Sequence, residues 1–600
     1  MLLLLGCLCL LATNALGLAI PWLLKVAIDS LRAAATDGAS VASEALAASV
    51  ARTAALTAAS MAAIAVAQAI ARTASRVLIF NAGRNIEFGL RRDLFSHLCR
   101  MDPGFFRRHA TGDVMSRMTN DLSAVRMLFG PGVLNVVNTA IVYGTGIWLL
   151  VHLSPRLTLI ALVPYPLLIG AARFWSRRIY GASRDLQDQL GTLSTQLQED
   201  LAGIAAIKNH AREEYRHAAF ARQSDVYLTR ALSLARTRGS LMPLFAVIGA
   251  IGTLIVLWAG GREVIAGRMT LGGLIAFNAY LAYLSFPTIA LGWILAVWQR
   301  GIAAWVRVRD LLATPSAITD AAARAGMGAR DGDGDGAAEV EGAPVASLRV
   351  RDLSVVQDTR RILDGVSFDV PAGGTLAIVG TTGAGKTTLV DAVPRLWNVP
   401  RGTVFVGGRD VHDLPLARLR SMIGYAPQEA FLFSATVAEN VAFGLPAGIA
   451  AAERAERVAR AVEAAGLSPD LAVLPDGIET VVGERGITLS GGQRQRVALA
   501  RAIAAEPRIL ILDDSLSSVD AQTERDILTR LTPILRGRTS IVVSHRVAAV
   551  RQADQILVLD GGRISERGTH EQLLAAGGLY ATLYREQLTA EALEAPEVAS

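Results

Sequence analysis

The sequence predicts two parts of different class: an α-helical transmembrane domain of six helices with long cytoplasmic extensions, followed by an α/β P-loop domain. Three observations predict it. Residues 1 to about 300 hold long apolar stretches with few charges, whereas the last 250 or so alternate short β-type runs with helical segments. Between them, Thr314 to Ser347 is built of Ala, Gly, Asp and Thr with almost no large apolar residue, the composition of a flexible linker. Finally, Gly380-Thr381-Thr382-Gly383-Ala384-Gly385-Lys386-Thr387-Thr388 follows directly on the apolar run Thr375 to Val379, the pattern of a phosphate-cradling P-loop. The expected boundaries are 1–312 for the membrane domain, 313–347 for the linker and 348–600 for the P-loop domain. Six hundred residues exceed what one core can organise. The 52% hydrophobic content and mean hydropathy of +0.38 come mostly from the first part.

Six apolar segments are expected to span, at about 2–28, 46–71, 132–153, 157–174, 243–260 and 274–298. Met1 to Leu11 could pass for a signal-peptide core, but no basic region precedes it and the apolar character continues through Ile20-Pro-Trp-Leu-Leu24, so a first spanning helix is expected. The second segment is dominated by alanine and contains Arg52 and Gln68. Segments three and four are joined only by Ser154-Pro155-Arg156, and five and six by a turn between Gly261 and Thr270. The two long intervals between segments two and three and between four and five are rich in arginine, which places them and both termini in the cytoplasm. They read as helix, for example Arg84 to Arg100 and Asp185 to Tyr227, so the helices continue well below the bilayer.

The net charge of +6 is carried in good part by these loops, a pattern that fits membrane topology better than a nucleic-acid patch, so no nucleic-acid partner is expected. Cys7, Cys9 and Cys99 form neither a disulfide framework nor a metal spacing. The polar residues Asn14, Arg52, Gln68 and Asn138 within the spans either line a path or pack between helices. Asp331 to Gly336 imitates the opening of an EF-hand loop, but its twelfth position is Gly342, so no calcium site is expected.

In the second part, the P-loop glycines let backbone N–H groups wrap phosphates, Lys386 reaches the terminal ones and the Thr387 hydroxyl is placed for Mg²⁺. Lys386 is one of three lysines in a chain otherwise served by arginine. Asp513 ends the apolar strand Ile509 to Leu512, the setting from which a carboxylate holds Mg²⁺. Leu489-Ser490-Gly491-Gly492-Gln493 opens a helix through Arg494 to Ala505, and the Ser490 hydroxyl with the backbone donors of the two glycines makes an anion site. Gln428 lies in Tyr425-Ala-Pro-Gln428-Glu, and His545 follows a further apolar strand.

In this order and spacing the motifs resemble the nucleotide-binding domain of an ABC (ATP-binding cassette) protein. The resemblance implies ATP and Mg²⁺ as cofactors, with Thr387, Gln428 and Asp513 at the metal, Gln428 as the Q-loop residue and His545 as the switch histidine. It makes Leu489 to Gln493 the ABC signature, which closes over ATP held by a facing cassette. Ser517-Ser-Val-Asp520 is then similar to the D-loop and Thr480 to Arg485 to the exporter-type X-loop. The long cytoplasmic loops resemble those of ABC exporters. Thr111 to Asp121 and Ile207 to Tyr215 stand in the places of the coupling helices that press on the nucleotide-binding domains, with His210 where an aromatic is common.

Two residues depart from the pattern. Asp514 stands where the family has the glutamate that orients and deprotonates water, and it is one methylene shorter. No Phe, Tyr or Trp occurs from Leu348 to Ser367, so the usual aromatic partner of adenine is missing and Val355, Val356 and Gln357 occupy its neighbourhood. The resemblance therefore implies a half-transporter with Asp514, His545 and Gln428 as catalytic residues. It would pair with a second half-transporter, most simply as the degenerate-site half of a heterodimeric exporter of lipids, drugs or other small amphipathic substrates in the inner (cytoplasmic) membrane. A homodimeric exporter using Asp514 as its base, and a nucleotide-gated regulator or channel that transports nothing, are the alternatives.

Overall fold

Runs of alanine and leucine with few breakers favour helix, and the N-terminal part of the chain is accordingly drawn into two long helices, α1 (Leu2–Asp37) and α2 (Glu44–Leu98). The computed structural model describes residues 1–37, 44–320, 346–357, 359–446, 448–483, 486, 488–519, 521–546 and 550–594. They divide into two units: Met1–Cys99 with Thr111–Thr314, and Arg100–Ala110 with Pro315–Ser600. After α2 come α3 (Pro103–Arg108), α4 (Thr111–Ser116), α5 (Leu122–Met127), α6 (Val133–Leu153), α7 (Pro155–Leu162) and α8 (Pro164–Ala202). The series ends with α9 (Ile204–Asn209), α10 (Glu213–Gly239), α11 (Leu241–Ile265) and α12 (Leu271–Ala313). All but α3 belong to the first unit.

The six expected spans fall in α1, α2, α6, α7 with α8, α11 and α12. Among the described residues, three stretches are long and apolar enough to cross a membrane: Leu2–Ala33, Val50–Leu98 and Thr111–Leu153. The fourth expected span is not one helix but two, because Pro164 has no N–H to continue α7 and starts α8 afresh. Ser154 makes the short turn between α6 and α7 by accepting from Leu157 N at 3.3 Å. Leu254, Leu257 and Trp258 on α11 and Trp148 on α6 are exposed, the kind of apolar surface that lipid covers.

The polar residues in the spans mostly pack between helices. Asn14 donates to Asn138 Oδ1 at 3.0 Å and Gln68 to the Thr13 carbonyl at 3.3 Å, while Arg52 is exposed. Cys7, Cys9 and Cys99 are free thiols.

The run Thr111 to Asp121 belongs to the helical unit and is bound into it. Arg117 pairs with Asp113 at 2.7 Å, and Asp121 holds Arg307 of α12 through two bonds of 2.6 and 2.9 Å. The piece that belongs with the P-loop unit lies just before it. Within that unit, Asp102 caps α3 by accepting from Phe105 N at 3.1 Å and accepts from Ala317 N at 3.0 Å, and Phe105 is 1% exposed. The second expected coupling segment folds as α9 and the start of α10 in the helical unit, turning at Ala211 with φ +50°.

The second unit is an α/β domain of two sheets. β1 (Leu348–Gln357), β2 (Arg360–Val370), β4 (Val404–Val406) and β5 (Arg409–Asp410) form an antiparallel sheet in the order β2-β1-β4-β5. The larger sheet contains β3 (Thr375–Gly380), β6 (Ile423–Ala426), β7 (Ile509–Asp513), β8 (Thr539–Val543), β9 (Gln555–Asp560) and β10 (Arg563–Gly568), in the order β10-β9-β3-β8-β7-β6. Only β10 is antiparallel in it. β7 and β8 are buried along their whole length, as strands inside a parallel sheet covered on both faces are.

The stretch read as a linker begins tied down. Ile318 is buried, and Asp320 accepts from Leu416 N at 2.8 Å. Residues 321–345, including Asp331 to Gly336, lie outside the described residues.

Candidate functional site

Register brings the site together. Asp513 of β7 pairs with Val543 of β8, and Val543 pairs with Ile378 of β3, so the carboxyl ends of three parallel strands stand side by side. Ligands of open α/β sheets bind at that end. From β3 comes the P-loop, from β7 Asp513 and Asp514, and from β8 Ser544 and His545.

Three P-loop glycines have positive φ: Gly380 (+151°), Gly383 (+81°) and Gly385 (+97°). A Cβ on Gly385 would lie 2.8 Å from Leu363 and 3.0 Å from the Ile362 carbonyl, so β2 closes over the loop as well. The loop leads into the helix Lys386–Ala392. Lys386 is 7% exposed and folds back to donate to the carbonyls of Gly380 and Thr381, at 2.9 Å each. Burial lowers its pKa, while Asp514 and Asp513 work in the opposite direction. Anionic phosphates would supply the negative charge that the ammonium lacks.

Asp513 is 1% exposed, and burial pushes its pKa up to about 6 despite hydrogen bonds from Thr387 and Tyr425. At pH 7 it is mostly ionised, a buried anion in need of a cation. Its carboxylate and the Thr387 hydroxyl are hard oxygen donors of the kind Mg²⁺ takes, so the residues present fit that ion. The structure places Gln428 on the loop after β6, where its carbonyl accepts from Gln495 at 3.4 Å. Its side chain is exposed and makes no hydrogen bond among the described residues.

Asp514 has φ +46°, donates its N–H to the Val543 carbonyl at 2.8 Å and is buried. Asp is among the few non-glycine residues that tolerate this left-handed conformation. His545 has its pKa lowered by burial and by Lys386, against the pull of Asp514. Lys386, Asp514 and His545, expected from three separate motifs, thus form one electrostatic cluster.

The expected signature makes a second cluster. Ser490 caps the helix Gly491–Ala504 in a reciprocal box: its hydroxyl accepts from Gln493 N at 3.2 Å, and the Gln493 side chain accepts from Ser490 N at 2.9 Å. A Cβ on Gly492 would stand 3.0 Å from the Ser518 carbonyl, so a side chain there would press on the expected D-loop. Leu489 is buried beneath. The helix packs on β6, three strand spacings from β3 in the sheet order, roughly 14 Å. Asp520 lies outside the described residues, as do Glu484 and Arg485 of the expected X-loop.

Sequence reasoning missed Gln495 and Arg546. Gln495 donates to Ser517 Oγ and accepts from Ser518 N, both at 2.9 Å, tying the signature helix to the D-loop and to the Gln428 carbonyl. Arg546 donates to the Val519 carbonyl at 2.9 Å and pairs with Glu524. A polar residue on the apolar face of a helix was the available signal for Gln495. Arg546 gave none.

Beside the P-loop lies a cavity of about 350 Å³ lined by Gln357, Arg360, Arg361, Ile362, Gly383 and the Gly561–Gly562 turn. A base held there meets an amide and guanidinium groups in place of an aromatic ring.

Comparison with known proteins identifies the assembly of these parts. The profile of the ABC transporter transmembrane region matches residues 3–288, and the ABC transporter profile matches residues 363–517. The probable multidrug resistance ABC transporter ATP-binding/permease protein YheI of Bacillus subtilis (strain 168) is 36% identical over 512 residues, 85% of this chain and 84% of that protein. The chain is an ABC transporter. Its second unit is the ATPase that couples ATP hydrolysis to transport, and its first unit is the membrane part.

Two further relatives bracket the ABC transporter. Multidrug resistance-like ATP-binding protein MdlA of Escherichia coli (strain K12) is 34% identical, covering 87% of this chain and 86% of that protein. An ATP-dependent lipid A-core flippase of Methylococcus capsulatus (strain ATCC 33009 / NCIMB 11132 / Bath) is 35% identical, covering 84% and 81%. Among solved structures, a bacterial Atm1-family ABC exporter with ATP bound superposes with a TM-score of 0.75 at 26% identity, over 97% of this chain and 98% of that one. ABC exporters of this build, with one membrane domain and one cassette per chain, work as dimers.

Proposed function

We propose that the transporter is one half of a heterodimeric exporter in the cytoplasmic membrane, moving a lipid, drug or other amphipathic substrate, and that its own ATP site turns over slowly. The substrate class rests on the likeness to proteins named for multidrug resistance and lipid A-core flipping. The asymmetry rests on Asp514, whose charge acts on Lys386 and His545 but whose side chain is one methylene shorter than glutamate. A displacement of about 1 Å at the reacting group costs on the order of a hundredfold in rate.

In this reading the P-loop amides and Lys386 bind the phosphates, and Asp513 with Thr387, and Gln428 when its loop closes, hold Mg²⁺. The ion neutralises charge on the phosphates. His545, kept neutral by burial and by Lys386, hydrogen-bonds the terminal phosphate. Ser490 and the amides of Gly491 and Gly492 cover the nucleotide of the partner cassette. The signature is intact, so fast hydrolysis occurs on the partner's nucleotide, and the closure of the two cassettes turns the membrane cavity outward.

Asp514→Asn is expected to reduce ATPase activity of the assembled transporter by less than about threefold, against about a hundredfold or more if Asp514 is the working base. The equivalent change in the partner abolishes activity. Complete loss on Asp514→Asn would favour the homodimeric alternative, as would brisk hydrolysis by the purified chain alone. ATP binding without flux into vesicles would favour the non-transporting one.

The base site gives a separate expectation. Gln357→Tyr should tighten ATP binding about tenfold, since stacking a base on an aromatic ring is worth about 1–3 kcal/mol. Competition against a fluorescent nucleotide measures this, and unchanged affinity would place the base elsewhere.

A further inference from the structure

The Tyr425 hydroxyl lies between two carboxylates. It is 2.9 Å from Asp391 Oδ1 and 3.4 Å from Asp513 Oδ2. Tyr425 lies in β6, one residue before the strand ends ahead of the Gln428 loop, Asp391 is on the helix that follows the P-loop, and Asp513 ends β7. A phenol has one proton to donate. When it serves Asp391, Asp513 faces only the hydroxyl lone pairs; when it serves Asp513, Asp391 needs another donor.

Asp391 has two other favourable neighbours. The Trp397 side chain hydrogen-bonds it, and the Arg107 charge is close enough to act on it. Arg107 sits over the Trp397 ring, 3.9 Å from the ring centre. It is on α3, the short helix of Arg100–Ala110, a segment whose two ends continue into helices of the membrane part. Arg107 therefore acts on the Asp391–Tyr425 pair from a segment that the membrane helices carry at both ends.

We propose that Tyr425 and Asp391 are positioning residues for Asp513, and that Arg107 over Trp397 sets their arrangement by satisfying Asp391 and releasing the Tyr425 hydroxyl to Asp513. The segment Arg100–Ala110, continuous at both ends with helices of the first unit, is then linked to the carboxylate that holds the metal through one shared proton donor. This rests on the reading of Asp513 as the Mg²⁺ carboxylate.

The test is the Mg²⁺ concentration at half-maximal enhancement of fluorescent ATP-analogue binding to the full chain, read by fluorescence rather than turnover. Tyr425→Phe, which keeps the ring, is expected to raise that midpoint about 5- to 10-fold and leave binding in EDTA unchanged. Arg107→Gln, at an exposed position, is expected to raise it about threefold, and Arg107→Lys to restore it. The double variant should be no worse than Tyr425→Phe alone, because both remove one interaction. Midpoints equal to wild type in the single variants, or shifts that multiply in the double variant, would overturn the inference while leaving Asp513 as the metal carboxylate. Absence of any Mg²⁺ dependence in the wild type would overturn both.

Discussion

Gly380→Ala is expected to abolish nucleotide binding and to loosen the whole ATPase domain. The residue is the last of β3, pairs with Leu559 of β9 and has φ +151°, a conformation open to glycine alone. A Cβ there would collide with the Leu559 carbonyl oxygen, and that strand is fixed by its pairing with β10. Backbone strain and overpacking together should cost about 3 kcal/mol or more. The P-loop starts at this residue, so the loop moves with any relief of the clash. Fluorescent ATP-analogue affinity should fall at least about a hundredfold, with a lower melting temperature. Binding within threefold of wild type would show that the loop does not depend on this close approach.

Gly491→Asp is expected to have an equally large effect by another route. The position has room: a Cβ would make ordinary contacts of 3.5 Å or more with Ser518. Folding and nucleotide binding at the chain's own P-loop should therefore persist. The new carboxylate lies in the first turn of the helix Gly491–Ala504, where the proposed function puts the terminal phosphate of the partner's ATP. It repels that phosphate and blocks the approach of the two cassettes, where loss of a single transition-state donor already costs about 10²–10³ in rate. ATPase activity of the assembled transporter should drop by about a hundredfold or more with the melting temperature unchanged. Paired with the near-silence expected of Asp514→Asn, this outcome would locate the productive site across the dimer interface.

The elements that local sequence made legible are those whose chemistry is local. Gly380 to Thr388 reads as a phosphate loop because glycine spacing, lysine and hydroxyls all serve one ligand, and the same holds for Leu489 to Gln493. The apolar run Ile509 to Leu512 reads as a buried strand from its composition alone. What was not legible depends on elements far apart in the chain. Nothing near Tyr425 announces that Asp391 and Asp513 converge on its hydroxyl, since register across β6 and β7 and the placing of a helix bring them there. The motif at Thr111 to Asp121 was visible but the ion pair that ties it to α12 was not, because Asp121 and its partner Arg307 are 186 residues apart. The fourth span was read as continuous although Pro164 stands within it.

The backbone at Asp514 bears on how such a transporter changes over generations. With φ +46°, the turn suits a short side chain that can hydrogen-bond locally, and Asp and Asn meet that demand about equally. Exchange between Asp and Asn therefore leaves the backbone of this turn undisturbed. Selection on transport is then what registers the difference, so the chemistry of this one site can drift while the backbone that carries it stays the same.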